Sequence, residues 1–126
     1  AASLNGSQWQ TIDDKTGEKK AIIQLSESNG KVSGKIIKVL NKENAKAVCT
    51  KCPGSLKNQP VEGLQILSGL KADGNNKWSD GKLVDPESGK TYSGKLTLSD
   101  NGQSLDLRGY VGSPLFGRSQ TWKRIK

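Results

Sequence analysis

The feature that most constrains this chain is its punctuation. Fifteen glycines, several in Asn-Gly pairs, divide it into short runs of β-forming residues and leave no room for a long amphipathic helix. The pair Asn29-Gly30 stands between Lys20–Ser26, which sets Ala21, Ile23 and Leu25 on one face, and Val32–Leu40. A dipeptide of that kind between apolar runs is the strongest short-range signal for a β-hairpin. Asn101-Gly102 repeats the signal between Tyr92–Leu98 and Leu105–Val111.

The remaining runs follow the same grammar. The first, Gln8–Ile12, stops at Asp13-Asp14-Lys15-Thr16-Gly17, whose side chains suit hydrogen bonds to a turn backbone. In Val32–Leu40 the alternation Val32, Gly34, Ile36 slips to Ile37 and Val39, as a β-bulge requires. An irregular stretch, Asn41–Pro60, holds both cysteines and two prolines. Val61–Leu70, bracketed by Gly63 and Gly69, is expected as a bent strand. Lys77–Val84 follows, broken at Gly81, and then the turn Asp85-Pro86-Glu87-Ser88-Gly89. Tyr92, Gly94, Leu96 and Leu98 fall on one face of the next run, and Phe116–Ile125 is the last. Eight runs joined mostly by short turns predict an antiparallel, up-and-down meander, which can remove its exposed edges by closing into a barrel. At 126 residues and 32% hydrophobic content, residues 1–126 form a single all-β domain with one modest core.

Composition excludes several chemistries. The chain contains no histidine, so Ser-His-Asp and Cys-His catalysis are unavailable, and two cysteines alone cannot complete a structural zinc site. Gly89-Lys90-Thr91 imitates the end of a phosphate-binding loop, but Val84 stands where the leading glycine belongs and a strand follows. Asp13-Asp14 supplies too few oxygens for calcium. No apolar run approaches the ~20 residues of a membrane-spanning helix. The net charge of +8 raises nucleic-acid binding, yet the lysines are scattered and only six aromatics accompany them, without an aromatic stacking motif. A solvated basic surface is the plainer reading, one that would favour anionic partners such as lipid head groups or cell-wall polymers. Cys49-Thr50-Lys51-Cys52 has redox-motif spacing, but no helical pattern follows it to lower a thiol pKa. A local structural disulfide is the preferred reading, with redox activity and metal binding behind it. The small residues Ala1-Ala2-Ser3 and the absence of methionine lead to the expectation of an exported protein, periplasmic or secreted, whose signal peptide has been removed.

Gly6-Ser7-Gln8-Trp9 resembles the Gly-x-Trp signature of lipocalin-like (calycin) barrels, lengthened by one residue. The resemblance implies that Trp9 closes the barrel floor beneath an arginine of the last strand; Arg118 and Arg124 are both available, and Arg124 is the expected partner. From Trp9 to Arg124 the chain also resembles a family of small exported bacterial proteins known as a domain of unknown function. The resemblance rests on Thr11–Gly17, Cys49-x-x-Cys52-Pro53-Gly54, Gly69-Leu70-Lys71 before Trp78, Asp85-Pro86-x-x-Gly89-Lys90-x-Tyr92, Arg108-Gly109-Tyr110-x-Gly112 and Gly117-Arg118-x-Gln120-x-Trp122. It implies a lipocalin-like barrel and export to the periplasm, and no particular reaction.

The most suggestive constellation is C-terminal. Period two places Arg118, Gln120, Trp122 and Arg124 on one face of the last run, and Arg108 and Tyr110 on one face of the run before it. Turned into a lumen, Arg108, Tyr110, Arg118 and Trp122 would anchor an anionic head group while apolar side chains cover its tail. The expected protein is therefore a monomeric, cofactor-free, non-catalytic barrel that binds a small amphipathic or anionic molecule in or at its mouth. The alternative is an envelope interaction protein that uses its basic surface and loops around a filled barrel. Cavity volume separates the two.

Overall fold

The computed structural model describes residues 4–12, 17–40, 48–52, 54–85, 89–112 and 117–126. Its strands are β1 (Gln8–Ile12), β2 (Lys19–Ser28), β3 (Lys31–Val39), β4 (Gln65–Ala72), β5 (Lys77–Val84), β6 (Thr91–Leu98), β7 (Ser104–Tyr110) and β8 (Arg118–Arg124). They pair antiparallel in chain order, and β1 pairs with β8 through Trp9 opposite Arg124 and Gln10 opposite Lys123, closing an eight-stranded barrel. Closure leaves no strand edge to recruit another chain.

Local chemistry explains the corners. Asn29 and Gly30 both take positive φ, 55° and 75°, as the tight two-residue turn between β2 and β3 demands. The second hairpin is longer. Gly102 N–H donates to the Ser99 carbonyl, Gly102 itself has φ 73°, and the Asn101 side-chain oxygen accepts from Gln103 N–H. The phase slip in β3 is a bulge: Ile23 faces Ile36 and Ile22 faces Lys38, leaving Ile37 without an opposite residue. The fourth strand starts later than the alternation suggested, at Gln65. Gly63, at φ 95°, takes the chain out of extended geometry first, and its N–H bonds the Ile36 carbonyl. A short 3-10 turn, Gly54–Leu56, lies in the preceding connection. The expected turns at Asp13–Thr16 and Pro86–Ser88, and Phe116, lie outside the described residues.

Core packing divides the barrel lengthwise. Ala21, Ile23 and Leu25 of β2, and Gly94, Leu96 and Leu98 of β6, point inward. At the end that carries the short hairpins, Leu4, Trp9, Leu25, Val32, Leu70, Leu105 and Trp122 are wholly or almost wholly buried and fill the lumen. The four longer connections, 13–18, 40–64, 85–90 and 111–117, join the strands at the other end. Cys49 and Cys52 form a buried disulfide there, with Cα atoms 5.4 Å apart. Val48 bridges Pro60, and Cys49 N–H bonds the Gln59 carbonyl, so this connection folds back on itself as a stapled loop. It packs so closely on Gly89 that a side-chain carbon there would overlap the Lys51 carbonyl. Among the described residues, no helix is long and apolar enough to cross a membrane.

Candidate functional site

The floor is built from the two chain ends. Trp9 is fully buried; its indole N–H donates to Ser7 Oγ at 2.8 Å, and that hydroxyl donates onward to the Leu4 carbonyl at 2.6 Å. The Arg124 guanidinium lies over the Trp9 ring, 5.4 Å from its centre, and its Nη1 donates to the Gly102 carbonyl. Register decides between the two available arginines. Trp9 pairs with Arg124, whereas Arg118 lies six residues away along β8, roughly 20 Å up the strand. Arg118 stands at the opposite, open end.

Above this packed half the barrel is hollow. A cavity of about 930 Å³ opens among the longer connections. Its deep wall is apolar, with Ala21, Ile23, Ile36, Ile66, Leu83 and Leu107 over Trp122. The polar lining residues are Thr11, Thr50, Tyr92, Tyr110 and Gln120, and the charged ones are Glu18, Lys20, Asp85 and Arg118. Those four sit at strand ends or in connections, so charge is confined to the rim.

The last strand crosses the cavity from rim to floor. Arg118, Gln120 and Trp122 face inward in turn, opposite Gly109, Leu107 and Leu105 of β7. Trp122 is 1% exposed, and its indole N–H donates to Gln120 Oε1 at 3.3 Å. Glu18, Lys20 and Asp85 each already interact with another group. The Arg118 guanidinium, by contrast, makes no hydrogen bond or ion pair among the described residues.

Of the four residues expected to anchor a ligand, the structure places two inside the cavity. Arg118 and Trp122 line it from the inner face of β8, and Tyr110, 9% exposed, borders its mouth from the end of β7, where it shares the face of Arg108. Arg108 does not line the cavity. It pairs directly with Ser119, to whose Oγ its Nη1 donates at 3.0 Å on the exterior. Directly opposite residues share a sheet face, so Arg108 goes with Ser119 and Arg118 with Gly109, on opposite sides of the wall. Tyr92, Lys20 and Gln120 also line the cavity, although none was among the four expected anchors. Gln120 shares the parity of Arg118 and Trp122, and Tyr92 that of Leu96, which are the signals that identify them.

A family profile described as "Uncharacterized protein conserved in bacteria (DUF2147)" matches residues 7–124. The chain belongs to this family. Among solved structures it is similar to protein HP1028 from Helicobacter pylori, described as belonging to the lipocalin family. The two are 26% identical over 100% of this chain and 85% of that one, with a TM-score of 0.84. No curated protein matches the chain. The matched span runs from Ser7, beneath Trp9, to Arg124, so it takes in both partners of the barrel floor and the whole inward row of β8.

Proposed function

We propose that this protein is an exported, non-catalytic binder of a small amphipathic or anionic molecule, held inside the open half of the barrel. The observation that carries the reading is the cavity. Its volume of about 930 Å³ falls within the roughly 300–1,000 Å³ of small-molecule sites, and it joins apolar walls to a few convergent polar groups, as such sites do. The alternative, an envelope interaction protein around a filled lumen, has the hollow half of the barrel against it. Export is supported by the disulfide, since such bonds persist in oxidising compartments. The lack of any histidine in the sequence excludes Ser-His-Asp and Cys-His catalysis in particular.

In the proposed complex the apolar part of the ligand lies on Ile23, Leu107 and Trp122, and its charged end meets Arg118. The test is titration with 1-anilinonaphthalene-8-sulfonate, an anionic amphiphile whose fluorescence rises on burial. Saturable binding is expected, weakened about tenfold or more by Arg118→Ala, the worth of a hydrogen bond to a charged group. Arg108→Ala, on the exterior, should leave affinity within about twofold. Equal losses from both substitutions would detach the site from the lumen.

A further inference from the structure

The hydrogen bond between Trp122 and Gln120 fixes what the lumen offers to a ligand. An indole N–H can only donate, so the side chain that meets it must present an acceptor. Gln120 therefore holds its Oε1 toward Trp122, and its amide nitrogen, which can only donate, is the end left for the cavity. Two residues further toward the rim, on the same face, stands the guanidinium of Arg118, also a donor without an acceptor. Together they form a short column of donors directly above an apolar floor.

Two further features narrow the ligand. Glu18, Asp85 and Lys20 also line the cavity but are already engaged, so Arg118 is the one lining cation whose side chain has no partner among the described residues, which matches the single charge of a monoanion. Depth is limited as well. Arg118 and Trp122 are four residues apart on a tilted strand, which sets roughly 10 Å between the rim and the floor. Below Trp122 the lumen is filled by Trp9, Leu25 and Leu105.

We infer that the ligand is a compact amphiphile with a single carboxylate, accepted jointly by the Gln120 amide N–H and the Arg118 guanidinium, and that Gln120 determines the choice of head group. The inference rests on the ligand-binding reading above and extends it to a chemical class. The ligand is then a short or medium chain, or a compact ring system, because a longer chain must fold or protrude to fit that depth.

Calorimetric titration with octanoate, octanol and octylamine tests this with one tail and three head groups. Octanoate should bind about tenfold to a hundredfold more tightly than octanol, and octylamine more weakly than either. Gln120→Glu keeps an acceptor for the Trp122 N–H but removes the donor. It should abolish the preference for octanoate over octanol while octanol binding stays within about twofold. Ser119→Glu places the same charge on the outer face and should preserve the preference. Octadecanoate should gain little affinity over octanoate, because its extra methylenes must fold or protrude instead of extending along the cavity wall. Equal affinity for octanoate and octanol, or an unchanged preference in Gln120→Glu, would overturn the inference and leave ligand binding standing. Failure of all the probes to bind would overturn the binding reading itself. The head-group series on the unmodified protein decides the class of head group even where a variant does not fold.

Discussion

Replacing Trp9 with alanine tests how the barrel is closed. The side chain is fully buried, and truncating a buried tryptophan or phenylalanine costs about 3–5 kcal/mol. Two smaller contributions are lost with it. The hydrogen bond from the indole to Ser7 Oγ contributes about 1 kcal/mol. The contact with Arg124, whose guanidinium is solvent-exposed, belongs at the lower end for cation–π pairs, about 0.5–1 kcal/mol. These lie largely within the measured range for such truncations, so a total near 4 kcal/mol is expected. That is a large share of the roughly 5–15 kcal/mol by which domains are stable. Urea unfolding followed by far-ultraviolet circular dichroism is the appropriate assay, because fluorescence would change with the loss of one of the three tryptophans. Arg124→Ala alone should cost about 1 kcal/mol. The double-mutant cycle should return a coupling of about 0.5–1 kcal/mol between the two positions. A loss below about 1 kcal/mol for Trp9→Ala, or no coupling with Arg124, would refute the reasoning that this pair seals the floor.

Reduction of Cys49–Cys52 should leave the barrel folded and lower its stability by about 2 kcal/mol or less, because the closed loop is short; retained circular dichroism with a lowered urea midpoint is the expected result. Gly89→Ala should destabilise by at least about 2 kcal/mol, since the new methyl meets the Lys51 backbone and the residue has φ 74°. Gly102→Ala, at a similar φ of 73° but meeting only the Arg124 guanidinium at an ordinary contact distance of 3.8 Å, should cost only about 1–2 kcal/mol in the same unfolding assay.

Alternation within single runs was legible: the faces of β2 and β6, the bulge at Ile37 and the hairpin at Asn29-Gly30 all follow from local pattern and turn chemistry. Relations between strands were less so. Parity along β7 and along β8 is readable separately. Whether Arg108 shares a face with Arg118 depends on their register, which the structure shows as Gly109 opposite Arg118, with Gly117 close against the Gly109 carbonyl. One residue of register moves a whole face from lumen to solvent, and this is how Arg108 came to be expected inside. The cavity was illegible for a related reason. Short apolar runs show which residues turn inward but not whether their volumes fill the space they enclose. The division into a packed half and a hollow half arises from large side chains, Trp9 and Trp122 among them, converging from different strands at one end.

The central claim is that a small molecule occupies the hollow half of the barrel. Native mass spectrometry of the protein purified from its own host, beside an Ala21→Trp variant, tests it most directly, since Ala21 lines the cavity wall and a tryptophan there takes up its space. The account predicts that the unmodified protein carries an additional small mass that is lost on denaturation, and that the variant, whose cavity is narrowed, folds but carries it in a smaller fraction of molecules. A bare protein in both preparations, or the same added mass in the same proportion in both, would contradict it.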